Sequence, residues 1–188
     1  MRQANVDDIG VIQAMSLQAG VGVPPDSLFE KCLVYIGDHG FIIFDIMDDA
    51  NCIAHVAVTK GGRGRWSREL FQSACRWAFT STRIEMIRGA VPNENRPAIR
   101  LGEDAWFVTE YVTEKFTHTH LDIFRWIIMD QECFERGASA ASDFEFADNE
   151  MIRRMAGACM LMREAGMEHK AWYIYQLYAK LFGYKAEG

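Results

Sequence analysis

Residues 52–91 constrain the fold of this chain more than any other segment. Residues 52–59 form a short apolar run with β-branched members, and it ends in Lys60-Gly61-Gly62-Arg63-Gly64-Arg65. That basic, glycine-rich stretch leads directly into a helical pattern with Leu70, Phe71, Ala74, Cys75, Trp77 and Ala78 on one side. Ser81 and Thr82 close the helix, and residues 84–91 supply a second apolar strand. A strand, a helix and a second strand in this order predict adjacent parallel strands joined by a helical crossover. This alternation favours an α/β fold over all-helical and all-β ones.

The flanking segments extend this into an α/β chain. Arg2-Gln3-Ala4 reads as a strand, and Asp7-Asp8 opens a helix carrying Ile9, Ile12, Met15 and Leu17. Pro24-Pro25-Asp26-Ser27 predicts a second helix through residue 35, followed by a turn over 37–40. Residues 41–47 and 52–59 make a hairpin about Asp48-Asp49-Ala50-Asn51. Further on, a loop over 92–95 precedes a short helix over 96–105. Strands are predicted over 106–112 and 122–129, with 113–121 as their connection. The small-residue run 137–142 reads as a linker. Beyond it lie two helices, over 149–165 and 168–182. The expected architecture is a central mixed sheet flanked by helices, with a C-terminal helical extension. Its expected domains are 1–136 and 143–188.

Composition limits the partners. The chain has 188 residues, 49% of them hydrophobic, which suffices for a core without metal or disulfide staples. Its 20 basic and 26 acidic side chains give a net charge of −6, against general nucleic-acid or anionic-membrane binding. No apolar run is long enough to span a bilayer, and the first residues lack an export signal core. The five cysteines form no C-x-x-C pair and read as buried free thiols in a reducing compartment. A cytoplasmic location is the expectation.

A strand that ends in a glycine-rich loop at a helix start can hold a phosphate. Unpaired N–H groups and the positive dipole end point at the anion, and glycines let the backbone approach. Lys60, Arg63, Arg65 and Arg68 add charge there. Neither the Walker A pattern nor G-x-G-x-x-G is present, and a nucleotide- or phosphate-binding domain of another kind is a minor reading. A second feature follows in order. Asn95, Ala98, Leu101 and Phe107 lie in a strand–Asn–helix–Phe pattern over residues 90–107.

Together these two features resemble the GNAT superfamily of acyl-CoA N-acyltransferases, whose pyrophosphate loop is written Q/R-x-x-G-x-G/A. The resemblance covers residues 1–135 and extends to a phage-type member of that family. With Gly64 as the central glycine, Gly61 replaces the family's Gln/Arg, and Trp66 replaces its small residue. Trp106 stands where the family has Gly before Phe107, and Gly102 where many members carry a general-acid Tyr.

What the resemblance implies is acetyl-CoA as cofactor and direct transfer to a small-molecule or protein amine. Val56, Ala57 and Val58 would contact pantetheine and the thioester. Arg63, Gly64, Arg65, Trp66 and Ser67 would surround the pyrophosphate, and Asn95 would face the cofactor. His55 is the first candidate base, because imidazole titrates near neutral pH, and Glu85 on the following strand is the second. The alternative is a GNAT-like domain without chemistry that binds or assembles, for instance in a virion.

Other clusters read as structural. His118 and His120 share a strand face without a third ligand, so no metal site is expected. Asp45, Asp48 and Asp49 suit a solvated turn, Cys133 a buried thiol, and Ser67 a helix cap. In the C-terminal helices, Met151, Met155, Cys159 and Met162 recur at helical spacing. Trp172, Tyr175, Tyr178, Leu181 and Phe182 form a second stripe. These stripes either pack within the chain or dock a partner, a second copy included.

Overall fold

The computed structural model describes residues 1–141 and 149–182, the side chains at 140, 141, 178, 181 and 182 excepted. It divides into two compact units, Met1–Arg76 with Ile84–Asp122 and Trp77–Arg83 with Ile123–Gly188.

The first unit holds a seven-stranded sheet. Its strands are β1 (Arg2–Gln3), β2 (Cys32–Gly37), β3 (Gly40–Ile46), β4 (Asn51–Val58), β5 (Met86–Pro92), β6 (Val108–Val112) and β7 (Phe116–Asp122). Their spatial order is β1-β2-β3-β4-β5-β7-β6. The β4–β5 pair is parallel and the other neighbours are antiparallel, so the sheet is mixed as expected. Helix α1 (Ile9–Ala19) packs on β3 and β4. Ile12, Val34, Ile36, Phe41 and Ala57 bury together there. Helix α2 (Arg65–Ser81) runs between β4 and β5 in the chain, with Leu70, Phe71, Ala74 and Cys75 buried along one stripe. Helix α3 (Arg96–Asp104) follows β5.

Two predicted elements fall differently. The helix over 24–35 is only a single 3-10 stretch at Asp26–Glu30, after which the chain becomes β2. Pro25 and Asp26 do open a helical turn. Val34 and Ile36 then alternate into the core, and full pairing with β3 outweighs the local helix signal. The strand predicted over 122–129 lies earlier, as β7, in the segment read as a connection. Thr117, Thr119 and Leu121 are its buried face. The apolar run after it is helix α4 (Ile123–Met129), whose buried Ile123, Trp126 and Ile127 stand at i, i+3 and i+4.

Among the described residues the second unit is helical: α4, α5 (Gln131–Ala141), α6 (Glu150–Glu164), α7 (Glu168–Phe182) and the end of α2. The predicted linker over 137–142 is therefore a correction. Residues 137–141 belong to α5, while Ser142 lies outside the described residues. Glycine serves close helix packing there. A Cβ on Gly137 would stand 1.5 Å from the Arg153 carbonyl oxygen, and one on Gly157 would stand 1.8 Å from that of Cys133. The contact division accordingly falls between Asp122 and Ile123. Met155 and Met162 are buried, whereas Trp172 and Tyr175 are exposed and stacked on each other at 5.5 Å. The side chains of Tyr178, Leu181 and Phe182 lie outside the described residues. Buried Lys170 donates through Nζ to the carbonyls of Phe79 (2.6 Å) and Thr82 (3.1 Å) at the end of α2. No helix among the described residues is long and apolar enough to cross a membrane.

Candidate functional site

Strands β4 and β5 begin side by side and then part. Their parallel register holds for three pairs, Asn51–Met86, Cys52–Ile87 and Ile53–Arg88. Beyond these, β4 stays paired with β3 as far as Val58–Gly40, and β5 with β7 as far as Pro92–Phe116. Each strand is thus held straight by its outer neighbour while the inner edges separate. The facing backbone groups are left for water or a ligand. A cleft of about 430 Å³ fills the gap, lined by residues 54–57 of β4 and 89–92 of β5. That volume lies in the usual range for small-molecule sites.

Helix α3 forms one wall. Its Asn95 N-cap accepts from the Ala98 amide at 3.3 Å, and Asn95, Ala98, Leu101 and Gly102 all line the cleft. The helix ends in a tight reversal. Trp106 takes φ 70°, and Phe107 turns back to stack on Phe71 of α2 at 5.1 Å. Both phenyl rings line the cleft as well. Trp106 thus adopts the left-handed conformation that glycine favours, at the position where the sequence pattern called for Gly.

The basic loop continues from the open end of β4. The Thr59 amide donates to the His39 carbonyl at 2.8 Å, and Lys60–Gly62 make one 3-10 turn. Gly64 sits at φ 92° before α2 starts at Arg65. The first-turn amides of α2 have no intrahelical acceptor. Trp66 folds back onto the β2–β3 turn, edge-on to His39 at 5.2 Å. A Cβ at Gly62 would meet that indole at 2.7 Å and the His39 Cβ at 2.5 Å. The Trp66 ring is therefore occupied in packing against the turn. Ser67 does not cap the helix: its hydroxyl donates to the Gly64 carbonyl at 2.7 Å. Arg65 pairs with Glu69 and Arg68 with Asp104, each at 2.7 Å. Arg63 is exposed and, among the described residues, makes no ion pair.

Of the expected contact residues, Val56, Ala57 and Asn95 line the cleft; Val58 and residues 63–67 do not. His55 is exposed and lines it, opposite Ile43 of β3. Glu85 is a correction. It precedes β5 at the paired end, where its amide donates to the Ala50 carbonyl at 2.7 Å, and the cleft opens at the other end. The sequence predicts its strand, but the direction of splaying decides which end of that strand faces the cleft. Sequence reasoning missed Phe41, Thr119 and the Val21–Gly22 loop, which also line the cleft. The alternation along residues 116–122 is the signal that marks the buried face of Thr119. Elsewhere in the unit, His118 stacks on Tyr111 at 4.3 Å, and His120 Nδ1 lies 3.8 Å from Glu110. Among the described residues, no three His, Cys, Asp or Glu side chains are grouped to hold a metal ion.

No protein-family model and no curated protein sequence matches the chain. Solved structures do match. A mutant of spermidine N-acetyltransferase SpeG from Vibrio cholerae aligns with a TM-score of 0.57 at 14% identity, over 66% of this chain and 94% of that one. Mutant forms of the spermidine/spermine N-acetyltransferase SpeG from the same organism give 0.56 at 14% identity, over 67% and 94%. The fold is GNAT-like. At these identities the likeness concerns architecture. The GNAT-like sheet, with its parted parallel strands, is the element that positions the cleft.

Proposed function

We propose that the chain is an acyl-CoA-dependent N-acetyltransferase that passes the acetyl group directly to an amine. The observation that carries this reading is the parting of β4 and β5 after the third pair. It opens two backbone edges to an extended pantetheine arm, beside the strand that continues into the basic loop. The residues fit the group. Val56 and Ala57 line the slot, and the α2 start with Arg63 supplies amides and positive charge for pyrophosphate. Bound acetyl-CoA supplies a thioester, the electrophile of the reaction.

His55 is the base. An amine arrives from water as an ammonium and must lose a proton to become a nucleophile. Imidazole at the mouth of the cleft accepts that proton and passes it to solvent. Transfer forms the acceptor's C–N bond and breaks the thioester C–S bond. The nitrogen loses a second proton, the departing sulfur takes up one as thiol, and one proton is released overall. Gly102 offers no phenol for the sulfur. A thiol with a pKa near that of free cysteine, about 8.5, can depart as thiolate without one.

Calorimetric titration with acetyl-CoA, CoA and dephospho-CoA tests the cofactor reading, and thiol release with amines tests the chemistry. Binding of acetyl-CoA, with transfer lost in His55→Gln, is the expected result. Absence of binding would refute it. A second reading, a GNAT-like domain that binds or assembles without transfer, is favoured by Gly102 and by the exposed Trp172–Tyr175 pair. It predicts binding of CoA or of a partner with no thiol release.

A further inference from the structure

We infer that the acceptor is a small primary monoamine with an apolar body, and not a polycation. The inference rests on the acyltransferase reading above and concerns the same cleft.

The chemistry of the lining carries it. With pantetheine between β4 and β5, the acceptor meets the β3 side of the cleft, where Val21, Phe41 and Ile43 line it beside His55. The polar side chains among the lining residues are His55, Asn95 and Thr119, all without formal charge when the imidazole is neutral. No Asp, Glu, Lys or Arg is among them. A second ammonium carried into such a cleft would lose its hydration and meet no carboxylate, which is costly. An alkyl or aryl body instead exchanges water for apolar contact, which is favourable.

The same surroundings help the reacting nitrogen. Desolvation lowers the pKa of an amine, so an apolar cleft raises the fraction present as free base. His55 then takes the proton at the rim, where it is exposed to solvent. Apolar walls thus select the acceptor and activate it through one physical effect.

Two acceptors of equal length isolate the charge: hexylamine ends in a methyl group, 1,6-diaminohexane in a second ammonium. Acetyl-CoA binding is measured on the same preparation by calorimetry, and kcat/KM for each amine by thiol release. The expected result is a kcat/KM at least tenfold higher for hexylamine. Val21→Asp places a carboxylate on the cleft wall in the exposed loop after α1. That variant should reduce the hexylamine preference by about tenfold. Equal or better use of the diamine by the unaltered protein overturns the inference and leaves the acyltransferase reading standing. Acetyl-CoA binding without transfer to hexylamine overturns it too. Absence of acetyl-CoA binding and of all transfer removes both.

Discussion

The Phe107 amide donates to the Gly102 carbonyl at 2.9 Å, closing the end of α3 around Trp106. The Trp106 amide donates in turn to Glu103, also at 2.9 Å. This double bond pattern is a Schellman motif, and its left-handed position normally holds glycine. Gly20 after α1 and Gly166 after α6 occupy the same position at φ 73° and 78°. Here a tryptophan occupies it and directs Phe107 onto Phe71 beside the cleft.

The strain at Trp106 can be separated from the packing of its indole by comparing two truncations. A left-handed residue with a Cβ costs roughly 1–2 kcal/mol. Trp106→Gly should therefore be more stable than Trp106→Ala by about 1 kcal/mol in urea unfolding, the reverse of the usual helix order. An Ala variant at least as stable as the Gly variant would show that the backbone carries no strain there.

The α5–α6 crossing makes an opposite test of glycine. Helix propensity alone favours Gly→Ala by about 1 kcal/mol. At Gly137 and Gly157, however, the added methyl would run into the backbone of the facing helix. Gly137→Ala and Gly157→Ala should each destabilise by on the order of 3 kcal/mol, measured by denaturant midpoint. Stabilisation of either variant would contradict the close approach.

At the basic loop the two leading arginines differ. Arg65 is engaged with Glu69, whereas Arg63 makes no ion pair among the described residues. If both merely solvated the loop, neither substitution would alter cofactor affinity. With pyrophosphate at the α2 start, Arg63→Ala should weaken acetyl-CoA about tenfold and flatten its salt dependence. That loss corresponds to one charge-assisted contact of ~1.5 kcal/mol. Arg65→Ala should do less, because its guanidinium must first leave a carboxylate.

The N-terminal fastening titrates in acid. Two Arg2 hydrogen bonds, at 2.8 and 2.5 Å, and one from the Asn5 amide hold the Asp8 carboxyl well below the usual carboxylate range, at about 2. An unfolded Asp titrates at about 3.9. The folded state thus favours the ionised form. Its stabilisation is full above that value and is lost as pH falls from about 4 to about 2. The stability difference between the parent protein and Asp8→Asn should shrink over that interval in urea titrations. A difference that does not change with pH would show that the pair contributes no linkage.

Much of the local structure was legible without coordinates, because periodicity reports which face of a segment will be buried. The stripe Leu70, Phe71, Ala74 and Cys75 marks α2, and Met155 with Met162 marks the buried side of α6. The glycine-rich join between β4 and α2 is equally local. Propensity misled where pairing partners were distant. Residues 32–37 became a strand because β3 was available to pair with them, and the predicted linker became part of α5, whose bare Gly137 lets α6 approach closely.

The sequence by itself determined the order β4–loop–α2–β5 and the residue types available for chemistry. Only the tertiary structure decided that β4 and β5 part after Ile53 and Arg88. That parting brings His55 to the cleft and leaves Glu85 at the closed end. Side-chain periodicity follows from the geometry of one segment. The gap between two strands instead depends on how β3 and β7 hold each of them from outside, which is a property of the assembled sheet.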